Sequence, residues 1–568
     1  MRSTPEQLVR EYRARGWWTD QRIFDLFDAH ATAHADRAAV ADPPNRGALI
    51  GGEPLRLTYA VLRDLADGYA LRLLELGLRR DDILITQLPN VAEYVAVYLA
   101  AMRLGIIVSP VPMQFRRHEL EEIVNLTGAR AALTVRSLRG VEHAAGAVEL
   151  GAQRGLQVLC LGAEAPPGST AFLPAPLTAE SRQRLADHVA AHPVDADDIA
   201  TICWTSGTEG VPKGVPRSHN HWLAISYAHY RGAGIQPGDR LLNPFPLINM
   251  AAIGGCFLSW LHCGGTLLLH HPLDLAVYLQ QISTEKPDYA IAPPAILNML
   301  LKDEKTLAMV DLSSLRCIGS GSAPLDPAMI QGYHDRFGIE IVNMFGSNEG
   351  VSLLCNARIT DDPVRRALWF PRFGRDDVAW SEPPPVNIQT RVVDTESGAE
   401  ILSAAQPGEL QIRGPTVFDG YFRAPHLTAQ SFTADGWFRT GDLFELCGDA
   451  GDLRFYRFVG RLKQIIIRGG VKIAPEELDT ALSQMPTALE GAVCGYKDDI
   501  MGERICAVVV PRPGATITLE TVREHFSQAG FAVFKRPERL VLATQLPRNS
   551  VGKVVRAELV KLCEAQAS

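Results

Sequence analysis

The chain has 568 residues, of which 46% are hydrophobic and 21% charged, and its formal net charge is −8. This length exceeds what one hydrophobic core usually organises, so the sequence predicts two or three domains. The ordinary composition and the net negative charge exclude a strongly basic binding surface, so no nucleic-acid partner is expected.

The cysteines and apolar stretches favour a cytoplasmic protein. Ten cysteines are scattered singly, without a CxxC pair or zinc spacing, and several lie in apolar runs typical of reduced core thiols. The first twenty residues lack the apolar h-region of a secretory signal. Glycines and His262 interrupt the apolar stretch 251–269. It is therefore predicted as a buried helix followed by a strand, and no stable membrane insertion is expected.

Strand and helix patterns alternate through the first 300 residues. Apolar residues at helical spacing predict helices over 22–39 and 60–76, and a third beginning at Asn90. The stretch 162–176, rich in proline, alanine and glycine, is predicted to be a surface connection. Such alternation predicts an α/β fold of mainly parallel sheets wrapped by helices. The predicted buried strands cover 83–86, 106–111, 131–135, 199–204, 241–242, 266–270 and 289–292.

The second half of the chain has a different pattern. Residues from about 384 to 460 show strand-like alternation with turns such as Asp419-Gly420 and Asp435-Gly436, which predicts a β-rich subdomain. Beyond Arg461, about a hundred residues carry short strand and helix patterns. That length suits a separate small α+β domain.

The stretch Thr205–Gly214 combines hydroxyls, glycines and Lys213 after a predicted strand. Glycines allow close backbone approach to a ligand, and successive free N–H groups form an anion-binding nest. This predicts a phosphate-binding loop. It is not a Walker A loop, because no Gly-Lys-Ser/Thr closes the required spacing.

Four further stretches carry groups suited to a nucleotide. Gly319–Pro324 is a loop of small residues, 343–350 holds an aromatic ring and a carboxylate, 436–443 contains an aspartate suited to a diol, and 547–553 ends in a lone lysine. Each stretch alone also fits an ordinary turn, and the order of the four along the chain is what makes them informative.

In this order and spacing the stretches resemble the acyl-adenylate-forming superfamily, which includes acyl- and aryl-CoA ligases, peptide-synthetase adenylation domains and luciferases. The resemblance extends from about Leu26 to Leu562. The motifs that carry it are WTSGTEGVPKG (204–214), FGSNE (345–349), GWFRTGD (436–442), GRLKQ (460–464) with RGG (468–470), and PRNSVGK (547–553).

The resemblance implies ATP-dependent activation of a carboxylic acid, with Mg²⁺ held by Glu349. It implies three catalytic residues, which are Lys553, Glu349 and Thr208. The ATP-binding residues that it implies are Thr205, Ser206, Gly207, Thr208, Lys213, Gly321, Ser322, Ala323, Asn343, Phe345, Gly346, Asn348, Asp442, Arg461 and Lys553.

It also implies an N-terminal domain over 1–460, a hinge at 461–464 and a mobile C-terminal lid domain over 465–568. The hinge residue is Gln464, where aspartate is commoner in the superfamily. The implied coenzyme A tunnel would be shaped by Gly469, Gly470 and Lys472.

Other departures from the superfamily leave the mechanism intact. Glu209 stands where a second threonine is common, and its carboxylate is expected to point away from phosphate. Asn348 replaces a threonine but keeps an amide donor, while Trp204 and Phe345 replace tyrosines and keep the ring.

The acid pocket implied by the resemblance contains Asn249, Met250, Gly254 and Gly346. An amide at 249 can hydrogen-bond a hydroxyl on an aromatic acid, as in dihydroxybenzoate-activating enzymes. It can equally cap a helix or bond to its own backbone.

The leading interpretation is an acid–CoA ligase for a medium-sized apolar acid, whether aromatic, alicyclic or fatty, with coenzyme A as acceptor. One alternative is a stand-alone aryl-acid adenylating enzyme that loads an acyl-carrier protein. Another is a non-catalytic protein that binds a nucleotide or acyl-AMP, against which Lys553 and Glu349 argue. A homodimer is common among enzymes of this kind and is left open.

Overall fold

Two large sheets and one two-stranded sheet are built from the first 355 residues of the computed structural model, which describes residues 1–205, 212–321, 323–381, 383–449, 451–469, 471–498, 500–549 and 552–565. The strands of this part, in chain order, are β1 (Ala38–Ala41), β2 (Arg56–Thr58), β3 (Ile83–Gln87), β4 (Ile107–Pro110), β5 (Ala131–Thr134), β6 (Ser137–Leu138), β7 (Val141–Glu142), β8 (Gln157–Leu161), β9 (Thr170–Phe172), β10 (Ile199–Thr205), β11 (Lys213–Ser218), β12 (Arg240–Asn243), β13 (Thr266–Leu269), β14 (Tyr289–Ile291), β15 (Cys317–Gly321), β16 (Glu340–Ser347) and β17 (Gly350–Cys355).

Helices separate and cover these strands. A π-helix, Ile253–Leu258, lies between the short α10 and α11. In chain order the α-helices are α1 (Glu6–Ala14), α2 (Ile23–Ala33), α3 (Arg46–Leu49), α4 (Tyr59–Glu75), α5 (Ala92–Leu104), α6 (Arg117–Thr127), α7 (His143–Arg154), α8 (Ala179–Ala191), α9 (His219–Gly232), α10 (Met250–Ala252), α11 (Ser259–Cys263), α12 (Leu275–Glu285), α13 (Pro294–Lys302), α14 (Glu304–Leu307) and α15 (Pro327–Phe337).

Both large sheets are mainly parallel, as predicted. One has the order β11-β10-β4-β3-β5-β8-β9, and the other has the order β17-β16-β15-β14-β12-β13-β1-β2. Antiparallel pairs occur only at their edges, in β10–β11, β16–β17 and β1–β2. Strand β3 is buried throughout, and α5 is buried along nearly its whole length. Strands covered on both faces explain the continuous apolar runs in the sequence.

Residues 363–461 form another sheet, which is antiparallel, with the order β18-β22-β21-β20-β19. It takes in a strand at 369–371, which precedes the predicted β-rich range of 384–460. Its elements are α16 (Pro363–Leu368), β18 (Trp369–Pro371), β19 (Gln389–Val393), β20 (Gly408–Arg413), α17 (Pro425–Ser431), β21 (Phe438–Asp449) and β22 (Asp452–Arg461).

The remaining residues form a small α+β unit with two hydrophobic clusters of its own, neither of which contains a residue before Ile466. A 3₁₀ turn, Leu462–Gln464, leads into it, and a second lies at Val533–Lys535. Its other elements are β23 (Ile466–Arg468), β24 (Val471–Ile473), α18 (Pro475–Ser483), β25 (Ala488–Asp498), β26 (Gly502–Pro511), α19 (Leu519–Gln528), β27 (Arg539–Leu542) and α20 (Arg556–Ala565).

Three stretches refine the sequence predictions. The stretch 162–176 is not purely a surface connection, because it contains β9, whose Phe172 is buried against Tyr69 with ring centroids 5.1 Å apart. The predicted helix 22–39 ends at Ala33, because residues 38–41 pair with β13 instead. The apolar stretch 251–269 is a buried helix followed by a strand, as predicted. Within the described ranges, every helix is too short or too polar to cross a membrane.

Candidate active site

Strands β10 and β11 form the base of the predicted phosphate loop. Thr205 is the last residue of β10 and lies opposite Lys213 in the register of the pair. The Lys213 ammonium lies 5.0 Å from the ring centroid of Tyr421. The predicted residues Ser206, Gly207 and Thr208 fall outside the described part of the chain. The strand therefore delivers Thr205 and Lys213 to the same end of the sheet.

Asn348, which follows β16, connects this strand end to the predicted acid pocket. Its Nδ2 donates to the carbonyl of Trp204 at 3.1 Å, and its Oδ1 accepts from the backbone N–H of Met250 at 2.8 Å. Both bonds span long sequence separations, so one amide fixes β10, β16 and α10 relative to each other. The second hydrogen of its NH₂ group is not used in these two bonds.

Arg217 supports the turn that contains Asn348. It was not predicted from the sequence as a site residue. Its guanidinium is fully buried and donates to the carbonyl of Asn348 at 3.0 Å and to that of Thr416 at 2.8 Å. Burial lowers the pKa of Arg217 to about 10 because the interior disfavours its charge. Its sequence neighbours in β11, KGVPRS, gave no signal for this role.

Glu349 carries the only carboxylate of this turn. Its Oε1 accepts a hydrogen bond from the hydroxyl of Tyr421 at 3.1 Å, and its carbonyl accepts from the N–H of Phe418. Tyr421 therefore contacts both Glu349 and Lys213. No motif pointed to Tyr421, because a tyrosine after an Asp-Gly turn has no distinctive spacing.

Asp442 and Arg461 face each other across β21 and β22. Arg461 Nε lies 3.1 Å from Asp442 Oδ1, but the angles between them are not those of a hydrogen bond. The buried Asp442 Oδ1 therefore has no hydrogen-bond donor among the described residues. Burial raises the pKa of Asp442 to about 6, although Arg461 and Lys553 oppose the shift. An acceptor of this kind fits a hydroxyl of a ligand.

Lys553, from the far end of the chain, reaches the same cleft. Its side chain is half-buried, and burial together with Arg461 lowers the pKa of its ammonium, while Asp442 and Glu349 oppose that shift. Its turn is closed by Asn549, whose N–H donates to the Lys553 carbonyl at 2.8 Å and whose Oδ1 accepts from the Lys553 N–H at 2.9 Å. The small α+β unit thus brings its lysine within electrostatic range of the carboxylates of Asp442 and Glu349.

The predicted adenine side is formed by β15 and β16. Phe345 is half-buried and its ring centroid lies 4.9 Å from that of Phe444. A Cβ on Gly321 would overlap the carbonyl of Met344, so only glycine fits there. Asn343 is buried and its Nδ2 donates to two backbone carbonyls of α16. Ala323 and Gly346 are exposed, and Ser322 falls outside the described part.

Asn249 caps the short helix α10, with its Oδ1 accepting from the N–H of Ala252 at 3.1 Å. Gly254 lies in the π-helix, where a Cβ would come within 2.9 Å of Ile225 Cγ2 and 3.6 Å of Met250 Sδ. A π-helix adds a residue to the turn and is frequent at functional sites. The capping interpretation of Asn249 is confirmed, and its NH₂ group takes no part in that bond.

The residues predicted for the hinge and tunnel lie at the start of the small unit. Gln464 ends the 3₁₀ turn after β22. Gly469 has a φ of 57° and donates from its N–H to the Met501 carbonyl at 2.7 Å. Lys472 pairs through its backbone with Ile467, while Gly470 falls outside the described part.

A cavity of about 450 Å³ lies elsewhere, beside Trp17, Tyr227 and Trp380. None of the predicted site residues lines it. The charged predicted residues lie apart from this cavity. Lys213 and Glu349 both contact Tyr421, Arg461 lies 3.1 Å from Asp442, and Lys553 interacts electrostatically with both carboxylates. The cations can pair with the phosphates of a nucleotide, and the unpaired acceptor can accept a hydrogen bond from a hydroxyl. This arrangement therefore suits a nucleotide with several phosphates.

The comparisons with known proteins agree on one family. Residues 27–422 match the family described as AMP-binding enzyme, and residues 477–553 match the AMP-binding enzyme C-terminal domain. The chain is 32% identical to a 2-hydroxy-7-methoxy-5-methyl-1-naphthoate–CoA ligase of Streptomyces carzinostaticus over 98% of this chain and 95% of that protein. It is 30% identical to the medium-chain fatty-acid–CoA ligase of Escherichia coli over 98% of this chain and 93% of that protein.

A solved structure is also similar. ATP-bound MatB from Rhodopseudomonas palustris superposes with a TM-score of 0.74 at 25% identity, over 95% of this chain and 99% of that one. The α/β fold predicted from the sequence is thereby confirmed. The chain therefore belongs to the AMP-binding enzyme family, and the predicted acyl-adenylate-forming enzyme, an AMP-forming acid–CoA ligase, is confirmed.

Proposed function

We propose that this protein activates an aromatic carboxylic acid in two steps, first as an acyl-AMP and then as a thioester of coenzyme A. The observation that carries the proposal is that Lys553 interacts electrostatically with Asp442, Arg461 and Glu349, which come from separate parts of the chain, and that Arg461 lies 3.1 Å from Asp442. With Arg461, Lys553 offsets the negative charge of these carboxylates, so an anionic ligand can bind there.

In the first step, a carboxylate oxygen of the substrate attacks the α-phosphorus of ATP. The bond between the α-phosphorus and the bridging oxygen breaks, and pyrophosphate leaves. Two anions approach each other, so cations placed where negative charge develops lower the barrier. Lys553 would offset the charge on the α-phosphate, while Thr205 and Lys213 would hold the outer phosphates with Ser206, Gly207 and Thr208.

The nucleoside would lie between the sheet that contains β15 and β16 and the antiparallel sheet that contains β21 and β22. The unpaired Oδ1 of Asp442 supports a hydrogen bond from a ribose hydroxyl, with Arg461 beside it. The half-exposed ring of Phe345 would stack on adenine, next to the backbone of Gly321. Ala323, Asn343, Gly346 and Asn348 would complete this wall.

Mg²⁺ is part of the proposal and would be held by Glu349 together with phosphate oxygens. Within the described ranges, no three histidine, cysteine, aspartate or glutamate side chains form a metal cluster. Magnesium commonly binds one or two carboxylates plus phosphates, so a single glutamate fits. When bound, the ion would neutralise negative charge on the phosphate oxygens.

In the second step, the thiol of coenzyme A loses its proton and its sulfur attacks the acyl carbon. The acyl–phosphate bond breaks, AMP leaves and a thioester forms. Gln464, Gly469, Gly470 and Lys472 would shape the approach of the pantetheine arm. A carrier protein that bears the same phosphopantetheine thiol is the alternative acceptor. The homodimer remains a prediction.

An aromatic substrate is favoured by the acid pocket and by one relative. Asn249 keeps its NH₂ group outside the capping bond, so it can donate to an oxygen next to a carboxylate. The relative with 32% identity is a ligase for a hydroxylated naphthoate, whereas the relative with 30% identity takes a medium-chain fatty acid. Met250, Gly254 and Gly346 would form the apolar remainder of the pocket.

A panel of acids tests the proposal. Salicylate, benzoate, cyclohexanecarboxylate and octanoate are each assayed for ATP–pyrophosphate exchange, and then for AMP release with and without coenzyme A. We expect salicylate or benzoate to exceed octanoate by at least about tenfold in kcat/KM, the scale that a well-shaped pocket provides. AMP release should accelerate on addition of coenzyme A.

Other outcomes would redirect the assignment. A clear preference for octanoate would replace the aromatic acid by a fatty acid. Exchange without coenzyme A-dependent release of AMP would indicate a carrier-protein acceptor. A thermal shift with ATP but no exchange with any acid would leave only nucleotide binding.

A further inference from the structure

Arg556 is the first residue of α20 and stands three positions after Lys553. Its Nη2 lies 2.5 Å from Asp479 Oδ2 and 3.3 Å from Glu476 Oε1, both of which belong to α18. Its Nη1 also donates to the carbonyl of Val493 on β25. The guanidinium is therefore fixed on both sides, and it fixes the start of the helix that follows the lysine turn.

The fourth contact of Arg556 is with Gln464, which lies outside α18 and β25. Its Nε donates to Gln464 Oε1 at 3.2 Å, and Gln464 ends the turn that begins right after Arg461. Arg461 in turn faces Asp442 across β21 and β22. A short chain of contacts thus runs from Asp442 through Arg461 and Gln464 to Arg556, and from there along the backbone to Lys553.

We propose that Arg556 is a positioning residue for Lys553 and that it acts through Gln464. The contact holds the lysine turn against the segment that carries Arg461, so the ammonium stays beside Asp442 and Glu349. This inference rests on the proposed role of Lys553 in forming the acyl-AMP. Neither Arg556 nor Gln464 touches the reacting atoms in this role.

The charge balance explains why a neutral amide suits position 464. Arg556 already faces the two carboxylates of Glu476 and Asp479, so the cluster has an excess of negative charge. Glu476 Oε2 is buried and has no hydrogen-bond partner among the residues that the structure describes, so one guanidinium does not satisfy both acids. A third carboxylate at 464 would add repulsion, whereas an amide oxygen accepts the Nε–H without adding charge.

The principal test is Gln464→Leu, which removes the acceptor and leaves no buried charge unpaired. Acyl-AMP formation is followed by pyrophosphate exchange, and the second step by thioester formation from preformed acyl-AMP. We expect kcat for exchange to fall about 5- to 10-fold, since small misplacements of a catalytic group are costly. We expect KM for ATP and for the acid to change less than about twofold, because the groups assigned to binding them are untouched.

The matched control is Gln389→Leu. Gln389 accepts a hydrogen bond from Arg413 Nε at 2.9 Å, which is the same pair of atoms at a similar exposure on β19, outside the cleft. This variant should leave both steps unchanged. A fall equal to that of Gln464→Leu would assign the loss to general weakening of the fold and would overturn the proposal.

Arg556→Lys provides a second, independent readout. The ammonium keeps a positive charge near Glu476 and Asp479 but lacks the guanidinium fork needed to reach Gln464 as well. We expect exchange to fall at least as far as in Gln464→Leu, because lysine loses the Gln464 contact and also the bond to the Val493 carbonyl. The double variant should show little loss beyond that of Arg556→Lys, because the Gln464 contact is already absent there. Additive losses, or unchanged exchange in Gln464→Leu, would refute the proposal.

The outcomes separate this inference from the proposed function. If the unaltered protein shows no exchange with any acid, the proposed function fails and the inference fails with it. If the unaltered protein exchanges and Gln464→Leu matches it, only the positioning role is wrong.

Discussion

The two sides of the cleft are held in different ways. On the larger side, Arg217 is fully buried and Asp442 nearly so, and the bonds of Arg217 and Asn348 join residues more than 90 positions apart. On the smaller side, the Lys553 turn bonds to Asn549, and Arg548 bonds to Glu490 at 3.0 Å, all within the last eighty residues. Gln464, at the junction, connects to the lysine side through Arg556.

This difference suggests that the two sides of the cleft have different functions. Groups fixed by a buried network are suited to binding, because they keep their geometry whether or not a ligand is present. A lysine carried on a unit with its own core can enter and leave the cleft without disturbing that network. Variants on the lysine side should therefore lower kcat, whereas variants on the buried side should mainly weaken binding.

The largest effect is expected for Lys553→Ala. Removal of the ammonium takes away positive charge beside the α-phosphate, so acyl-AMP formation should fall by about 10²-fold or more, the scale of losing a transition-state donor. Pyrophosphate exchange at saturating ATP and acid measures this loss. KM for ATP should change little, because the buried side of the cleft is intact.

Lys561→Ala is the control for that variant. Lys561 lies on α20, is mostly exposed and pairs only with Glu558 among the described residues, so its loss should leave exchange near the unaltered rate. Exchange that persists in Lys553→Ala would show that another cation serves the α-phosphate, and the division between the two sides would lose its main support.

Asp442→Asn should have the next largest effect, on binding. The amide keeps one acceptor but loses the charge that strengthens bonds from ribose hydroxyls. We expect kcat/KM for ATP to fall about tenfold, which corresponds to one charge-assisted hydrogen bond. A fall in kcat at saturating ATP, with KM unchanged, would contradict a binding role and would blur the contrast with Lys553.

The pH dependence sharpens the same test. Burial raises the pKa of Asp442 to about 6, so its carboxylate takes up a proton as the pH falls through that value. In the unaltered protein, kcat/KM for ATP should therefore decline below about pH 6, because the protonated group is a weaker acceptor. Asp442→Asn does not titrate, and this decline should disappear in a profile from pH 5 to 8.

The sequence predicted the strands and the motif residues that local pattern determines. Buried parallel strands appear as apolar runs, so β3, β4 and β5 fall within about a residue of their predicted bounds. The helix at 60–76 likewise begins at Tyr59 and ends at Glu75. These elements are fixed by burial on both faces or by an apolar stripe, which a single sequence displays.

Contacts between distant segments were not predictable in this way. Arg217, Tyr421 and Arg556 gain their roles from partners 70 to 200 positions away, and nothing in their immediate neighbours announces those partners. The π-helix was also missed, because its extra residue is set by packing of Gly254 and Gly255 against α9 rather than by periodicity. The sequence pattern predicts helices and strands, whereas the partners of individual side chains depend on how those helices and strands pack together.

The smallest effect is expected for Asn249, whose amide has two candidate tasks on the buried side. Asn249→Ala removes the cap of α10 and should lower the free energy of unfolding by about 1 kcal/mol. If the NH₂ group also donates to a substrate hydroxyl, the preference for salicylate over benzoate should fall about 3- to 5-fold, as for one neutral hydrogen bond. Asn249→Ser keeps a capping oxygen but lacks the NH₂ group, so it should restore stability without restoring the preference. If serine restores both, Asn249 only caps the helix and the hydroxyl must be recognised elsewhere in the pocket.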